Sequence, residues 1–194
     1  MALIAEQWEV APISLKLTQS MVEKHHYSGG GSNTAVATHG LFPRGLAFLE
    51  AECRGVAWWL PPTKPAAKSA YPENWRGVLS LSRLVIEPGM PKNSCSFLLS
   101  KSMKLLDRER WPALVTYADE WRGHTGAIYK ASNWKASGRT APGPVYTLKG
   151  RTLSCKAGPR TRTKQQMLDL GCVLEGRFRK NKFVHLAKGA HEWH

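Results

Sequence analysis

The residue types most suited to chemistry lie between positions 113 and 130, in the segment ALVTYADEWRGHTGAIYK. An apolar run that predicts a buried strand ends in Asp119, and a glycine-flanked turn leads into a short helical pattern that carries Tyr129. Open α/β sheets bind their ligands in the crevice outside the carboxyl ends of the strands. We therefore expect a carboxylate and a phenol to face one crevice, where both can transfer protons.

The elements that must position this crevice are predicted from periodicity and turn signals. Residues 34–60 predict two or three antiparallel strands, and the proline-rich residues 61–72 predict an irregular insertion. Further strands are predicted at WEVAPIS, VLSLSRLVIEP, ALVTYAD and VYTLKGRT, the last of them closing the main domain. Helices are predicted at SLKLTQSMVEKHH, HTGAIYKAS and SCSFLLSKSMKLLDRER, the last with Asn93 or Ser94 as its N-cap.

The charge balance favours a polyanionic partner. The 194 residues include 28 Lys and Arg against 14 Asp and Glu, a formal net charge of +14, so nucleic acid is expected ahead of an anionic membrane surface. A hydrophobic content of 42% supports one sizeable domain with its own core. No apolar stretch is long enough to span a bilayer, and acids stand near the N-terminus where a signal peptide has bases. We therefore expect a cytoplasmic protein with no membrane partner.

Basic residues are concentrated toward the C-terminus, where the last 44 residues hold ten Lys and Arg against three acids. The segment KAGPRTR predicts a boundary, which divides the chain into a main domain at 1–155 and a basic C-terminal extension at 156–194. A small helix and a basic strand are predicted in the extension. The side chains expected to contact nucleic-acid phosphates are Arg177, Arg179, Lys180 and Lys182, with a solvated basic face as the alternative.

The order of the predicted elements resembles the GNAT (GCN5-related N-acetyltransferase) fold. The resemblance implies a mixed α/β (α+β) fold whose mostly antiparallel, twisted sheet has two splayed central parallel strands with acyl-CoA between them, and flanking helices. It also implies that the pyrophosphate meets the start of the following helix, where free N–H groups and the helix dipole favour phosphate. In the corresponding loop, GMPKNSCS, the candidate donors are Lys92, Asn93, Ser94 and Ser96. The loop lacks the glycine pair usual in GNAT proteins, so an ordinary capped helix is the alternative.

Three sequence blocks resemble the Mom family of bacteriophage DNA adenine modification proteins: HHYSGG at 25–30, LSRLVIEPGMPKNSCS at 81–96 and TYADEWRGHTGAIYKASNW at 116–134. The resemblance implies conversion of adenine N6 in phage DNA to a carbamoylmethylamino group, with acetyl-CoA as carbon source. It further implies double-stranded DNA as partner, protection of that DNA from host restriction, and action in the cytoplasm of the bacterial host.

Five side chains within these blocks are candidates for the site. The family's His-Tyr pair corresponds to His26, which could move a proton, and Tyr27, which could stack on or hydrogen-bond to a base. Asp119 could orient or deprotonate the exocyclic amine, or simply cap the next helix. Tyr129 stands where GNAT enzymes carry the tyrosine that protonates the departing CoA thiolate, with a core aromatic as the alternative. Arg83, in an alternating strand, could reach a cofactor phosphate or carboxylate, or be solvated.

The chemistry at N6 sets further demands. An adenine in a duplex must be swung out of the stack, and tryptophans such as Trp58, Trp59, Trp75, Trp121 and Trp134 are candidate stacking platforms or core residues. A carbamoylmethyl group is joined through a methyl carbon, which plain attack on a thioester does not produce. A metal or redox step, with His26, Tyr27 and Asp119 as ligands, is therefore an open alternative.

Zinc binding and other functional classes also stay open. The four cysteines lack paired spacing, which favours reduced, buried thiols, although a zinc site can be drawn from Cys155, Cys172, His185 and His191. A GNAT-type acetyltransferase acting on a protein or small-molecule amine is one alternative function, and a non-catalytic nucleic-acid-binding protein is another. The oligomeric state is also open, a dimer included.

Overall fold

The computed structural model describes residues 2–28, 30–157 and 160–190. Its strands are β1 (Trp8–Pro12), β2 (Ala37–Pro43), β3 (Gly55–Leu60), β4 (Val78–Ile86), β5 (Ala113–Asp119), β6 (Lys135–Arg139), β7 (Gly143–Leu148), β8 (Arg151–Leu153), β9 (Lys156–Ala157), β10 (Arg160–Thr161), β11 (Val173–Phe178) and β12 (Lys180–Leu186). Its helices are α1 (Leu15–His25), α2 (Lys64–Ala70), α3 (Ser94–Lys104), α4 (Ala127–Ala131) and α5 (Lys164–Asp169). No helix of the described ranges is both long and apolar enough to cross a membrane.

A seven-stranded sheet in the order β1-β2-β3-β4-β5-β12-β6 forms the centre of the molecule. Every neighbouring pair is antiparallel except β4 and β5, which are parallel. This mixed, mostly antiparallel sheet with flanking helices confirms the predicted fold class.

Apolar side chains cover both faces of the sheet, because successive residues of a strand point to opposite sides. Trp58 lies in a cluster with Val22 of α1, whereas its neighbour Trp59 lies in a second cluster with Leu98 of α3. Both indole rings are fully buried, and Trp134 is 3% exposed, so these three tryptophans belong to the core and are closed to a nucleic-acid base. The helical spacing read in α1 and α3 is confirmed by this packing.

The parallel strands β4 and β5 pair only over their first three residues, from Val78–Ala113 to Ser80–Val115. Beyond that point they diverge, and the Thr116 hydroxyl donates to the Leu81 carbonyl oxygen (3.2 Å). A register shift against β3 leaves Ser82 as the extra residue of a bulge in β4. Bulges bend a strand and re-aim its side chains. The splayed central pair expected from the sequence is therefore present.

The proline-rich insertion predicted at 61–72 is wrong, because residues Lys64–Ala70 form the helix α2. A proline stands in its first turn, where the missing N–H has no intrahelical partner in any case. The helix buries Ala67 and Ala70 against the sheet.

Residues 143–178, which we call the inserted arm, leave the main sheet between β6 and β12. The arm contains a three-stranded sheet in the order β11-β7-β8, the β9–β10 pair and α5, around a small core of Tyr146, Met167 and Cys172. The segment VYTLKGRT is thus not a last strand of the main sheet but the β7–β8 hairpin of the arm. Residues 158–159 lie outside the described ranges.

The chain returns from the arm into the main sheet, where β12 pairs with β5 on one side and β6 on the other. This arrangement differs from the predicted C-terminal extension at 156–194, because part of that range is a strand inside the central sheet. Residues 191–194 of the extension lie outside the described part of the chain.

Candidate active site

A crevice opens where β4 and β5 diverge, at the carboxyl ends of the two strands. It contains a cavity of about 350 Å³ lined by Leu84 of β4, Cys95 of α3 and residues 123–129 of the loop and helix after β5. Beyond Ser80 the edge of β4 that faces β5 has no strand partner among the described residues. Its backbone groups are therefore available to a ligand lying between the strands.

Tyr129 reaches the point of divergence from α4, which begins after Gly126 in the left-handed conformation (φ 77°). Its ring packs on Phe183 and Trp134, with ring centroids 5.3 Å and 5.9 Å away. Its hydroxyl lies near Thr116, the residue that bridges the diverging strands. Burial raises the pKa of Tyr129, and Thr116 lowers it in part, so the phenol stays protonated at neutral pH and can act as a proton donor.

His26 and Tyr27 follow directly after α1, and their ring centroids lie 4.1 Å apart. The Ser28 N–H donates to His26 Nδ1 (3.2 Å), which places the proton of a neutral imidazole on Nε2. Burial, with help from nearby cations of which Arg83 acts most strongly, lowers the pKa of His26 to about 4. His26 is thus neutral at physiological pH, where it can donate a hydrogen bond but is a weak base.

Tyr27 lies close to residues at the end of β5 and in the loop that follows it. Burial raises its pKa, and the charge of Asp119 and the proximity of Tyr129 raise it further. The Arg122 guanidinium carbon lies 4.7 Å from the centre of the Tyr27 ring, and the ring of His124 is 6.0 Å away. The phenol of Tyr27 is therefore close enough to Asp119 and Tyr129 for both to act on its pKa.

Asp119 ends β5 and is only 6% exposed. One oxygen accepts from the Trp121 N–H (3.3 Å), and the other lies 3.3 Å from Lys180 Nζ. The predicted capping role applies to the short turn at Glu120–Arg122, while α4 has Gly126 at its N-cap position instead. The carboxylate is thus held at the mouth of the crevice with one oxygen next to a cation.

Arg83 follows the bulge of β4 and points toward the loop after Tyr27. Its Nε and Nη2 donate to the Gly30 carbonyl oxygen (3.3 and 3.2 Å), and Nη1 donates to Ser82 O (2.8 Å). These bonds hold Arg83 beside the glycine-rich loop that follows Tyr27. Arg83 was expected to bind the cofactor together with residues 92–96, but its hydrogen bonds are not to that loop.

The loop before α3 provides the second half of the predicted cofactor site. Asn93 holds the N-cap position with a left-handed backbone (φ 70°) and no capping bond, so neither Asn93 nor Ser94 caps α3 with its side chain. The Ser94 hydroxyl donates to Pro91 O (2.7 Å) and the Ser96 hydroxyl to Asn93 O (3.0 Å). First-turn N–H groups of a helix have no intrahelical acceptor, so backbone donors, with the Lys92 ammonium nearby, suit a pyrophosphate.

The four C-terminal bases predicted to contact nucleic acid do not form one uniform patch. Arg177 and Arg179 are exposed, and each donates to a backbone oxygen, of Pro142 (2.9 Å) and Thr140 (3.1 Å) respectively. Lys180 lies beside Asp119, whereas Lys182 is half-buried and donates to the Ser69 carbonyl and hydroxyl oxygens (2.9 and 2.7 Å).

Sequence reasoning did not identify Arg122 as a site residue, although its guanidinium group lies over the rings of Tyr27 and Trp121. Its guanidinium carbon lies 4.1 Å from the centre of the Trp121 ring, and its Nη2 donates to Thr152 Oγ1 (3.0 Å) in the inserted arm. The only feature of the sequence that pointed to Arg122 was its position three residues after Asp119. Sequence reasoning also did not identify Cys95 as a residue that lines the cavity. Burial raises the pKa of its thiol to about 11.

The described residues contain no group of three or more His, Cys, Asp or Glu side chains arranged to hold a metal ion. Of the zinc ligands drawn from the sequence, Cys155 and Cys172 belong to the core of the arm, while His185 lies on β12 against Trp134. His191 lies outside the described ranges.

Solved structures of GNAT acetyltransferases share this fold. Arabidopsis thaliana NAA60 in complex with a bisubstrate analogue matches with a TM-score of 0.55 at 13% identity, over 94% of this chain and 99% of that chain. A GNAT family acetyltransferase from Elizabethkingia anophelis with acetyl-CoA bound matches with a TM-score of 0.54 at 7% identity, over 94% and 99% of the two chains. These likenesses show that the fold is GNAT-like.

Comparison at the level of sequence points to a narrower group. The methylcarbamoylase mom of Escherichia phage Mu is 29% identical over 137 residues, which are 67% of this chain and 53% of that protein. The chain thus spans about half the length of this curated relative. The family model described as the Mom protein family matches residues 7–184. The chain therefore belongs to the Mom protein family.

Proposed function

We propose that the protein is a transferase that modifies adenine N6 in double-stranded DNA with an acetamido- or carbamoylmethyl-type group, for which acetyl-CoA is the carbon source. In a bacterial cytoplasm this modification would protect phage DNA from restriction. The observation that carries the proposal is the crevice between β4 and β5, which Tyr129 lines and beside which the Tyr27 phenol lies close enough to Asp119 and Tyr129 for both to raise its pKa. Membership of the Mom family, and the name methylcarbamoylase of the phage Mu relative, support the kind of group that is added.

The acyl-CoA side of the site is supported by three features of this chain. The unpaired edge of β4 offers backbone groups to an extended ligand, and the start of α3 offers N–H donors to a pyrophosphate. The bound cofactor would supply the two acetyl carbons as a thioester. Attack of N6 on that thioester gives an N6-acetyl group, whereas a carbamoylmethyl group also requires a nitrogen donor and an oxidant that joins N6 to the methyl carbon. Tyr129 lies where the strands part, and its raised pKa leaves the phenol protonated, so we assign it the proton that a departing CoA thiolate takes up.

The adenine side is formed by Asp119, Tyr27 and His26. The lone pair of N6 is delocalised into the purine ring, so the amine needs an acceptor for its hydrogen before it becomes nucleophilic. The buried carboxylate of Asp119 can accept that hydrogen bond, while the Tyr27 ring offers a surface for the extruded base. His26, neutral at physiological pH, can donate from Nε2 to a ring nitrogen.

DNA is favoured over a small amine by the net charge of +14 and by the cations that border the crevice. The alternative is an acetyltransferase acting on a protein or small-molecule amine. The fold is also similar to that of a ribosomal-protein-S18-alanine N-acetyltransferase from Escherichia coli (TM-score 0.53, 9% identity), and this likeness is compatible with the alternative. A non-catalytic DNA-binding protein would keep its biological effect after Asp119→Asn or Tyr129→Phe.

The test is expression of the protein in a bacterium, followed by digestion of the recovered DNA to nucleosides and mass spectrometry. We expect a modified deoxyadenosine that is absent from cells with an empty vector. Soluble, abundant protein with unmodified DNA, together with newly acetylated amines in the protein or small-molecule fraction, would replace the proposal with the alternative.

A further inference from the structure

The inserted arm is attached to the main sheet immediately beside Asp119. The chain leaves the sheet after Arg139 at the end of β6 and returns at Lys180, the first residue of β12. Lys180 pairs with Asp119 in the register of β12 and β5, and Asn181 pairs with Arg139. Both connections of the arm therefore lie at the mouth of the crevice.

Contacts between the arm and the loop after β5 hold the arm at this place. Arg122 donates to Thr152 of β8, and the Trp121 ring lies 6.4 Å from the ring of Phe178 at the end of β11. The arm also has its own apolar core, so it is an ordered surface rather than a free tail.

The arm is strongly basic. It holds seven Lys and Arg (Lys149, Arg151, Lys156, Arg160, Arg162, Lys164 and Arg177) against two acids, a formal charge of +5. The acids are engaged within the arm, since Glu175 accepts from the Thr147 hydroxyl (2.5 Å) and Asp169 accepts from Gln165 (2.8 Å). Within the described ranges, none of the seven bases forms an ion pair with a carboxylate.

The β7–β8 hairpin and the β9–β10 strand pair present three of these cations to solvent. The β7–β8 hairpin turns at Lys149 and Gly150, both with positive φ (49° and 77°), as a tight two-residue hairpin turn requires. Lys149 and Arg151 are therefore fixed at an exposed tip. Arg160, also exposed, lies opposite Ala157 in the β9–β10 pair.

We propose that the inserted arm docks the DNA backbone beside the crevice, with Lys149, Arg151 and Arg160 contacting phosphates that flank the extruded nucleotide. This inference rests on the proposed function, and it moves the main DNA contacts from the predicted set to these three residues. The predicted set was Arg177, Arg179, Lys180 and Lys182. Phosphate contacts fix register and orientation without reading sequence. The arm thus sets the position of the duplex, and the crevice receives the base.

The salt dependence of DNA affinity measures such contacts directly. Each neutralised phosphate contributes about 0.9 to the slope of log affinity against log salt concentration, so three lost contacts lower the slope by about 2.7. Between about 50 and 200 mM salt, the advantage of the wild type over such a variant shrinks by about 40-fold.

The experiment compares two triple variants with equal loss of charge, using a fluorescent duplex and purified full-length protein. The arm variant carries Lys149→Gln, Arg151→Gln and Arg160→Gln. The control carries Lys68→Gln, Lys101→Gln and Lys104→Gln, exposed residues of α2 and α3. We expect the slope to fall by about 2.7 in the arm variant and to stay at the wild-type value in the control.

An unchanged slope in the arm variant, or an equal fall in both variants, would overturn the proposal. So would an arm variant that keeps DNA affinity but loses binding to anionic phospholipid vesicles. If the triple variant does not fold, the single variants Lys149→Gln and Arg160→Gln are read in the same way, each with a fall of about 0.9.

Failure of the arm and failure of the proposed function are distinguishable. Modified deoxyadenosine in wild-type cells together with an unchanged slope in the arm variant removes only the arm proposal. An arm-dependent slope in a protein that leaves host DNA unmodified removes the proposed reaction and keeps the docking surface.

Discussion

Gly126 is the residue whose replacement tests most sharply how the loop after β5 positions Tyr129. Its backbone has φ 77°, and a Cβ added there would overlap Cζ and Cε2 of the Phe183 ring. Gly123, three residues earlier, has a similar φ of 71°, but an added Cβ would meet nothing within 4 Å. The pair Gly126→Ala and Gly123→Ala therefore separates the steric overlap from the backbone strain.

The expected magnitudes follow from these two contributions. A left-handed backbone costs a residue with a Cβ about 1–2 kcal/mol, and this cost applies to both variants. Overpacking a buried ring costs about 1–3 kcal/mol more, and only Gly126→Ala pays it. For a chain of this size, about 2–4 °C of melting temperature corresponds to each kcal/mol, so Gly126→Ala should melt about 2–12 °C below Gly123→Ala.

The assay is a pair of thermal melts followed by circular dichroism, with the rate of DNA modification as a second readout. Because Phe183 lies against Tyr129, its displacement should lower that rate by up to about 100-fold, the cost of a misplacement of about 1 Å. Equal melting temperatures for the two variants would refute the packing of Phe183 against this loop.

Two further predictions concern charge and pH. Asp119→Asn keeps an acceptor for the Trp121 N–H but loses the carboxylate, so we expect DNA modification to fall by about 10²–10⁴-fold in a protein that still folds. The neighbouring Glu120→Gln is the control, and equal activity of the two variants would exclude the role of Asp119. Burial lowers the pKa of His39 to about 4 from its ordinary 6.5, so the unfolded chain binds more protons between these values and stability falls as pH drops from about 6.5 to 4. Urea midpoints at pH 7 and pH 5 measure this fall, which His39→Gln should reduce and which a higher midpoint at pH 5 would contradict.

Periodicity predicted the elements whose burial is regular. The apolar rows of α1 and α3, and the alternation of β4, are each imposed by contact with the sheet, so they can be read from the residues alone. The strand β6 was missed because all five of its residues are exposed and show no apolar alternation. The helix α2 was missed because its proline was read as a breaker, although it stands in the first turn.

The site was predicted in part because Asp119 and Tyr129 lie close together along the chain. Their relation to Tyr27 depends on the resemblance of motifs, since no local pattern links α1 to β5. The position of Lys180 next to Asp119 depends on the register of β12, a pairing between residues far apart in sequence. Such pairings, like the return of the chain through the inserted arm, leave no periodic signal.

The central claim is that Tyr129 takes part in chemistry on DNA from the point where β4 and β5 diverge. It is tested most directly by the initial rate at which modified deoxyadenosine accumulates in host DNA after induction of Tyr129→Phe or Tyr117→Phe. Tyr117 is a half-buried tyrosine of β5 that packs in a different apolar cluster, so the second variant makes the same chemical change outside the crevice. We predict a rate about 10²–10⁴-fold lower for Tyr129→Phe alone. Equal rates for the two variants at equal soluble expression would contradict the claim.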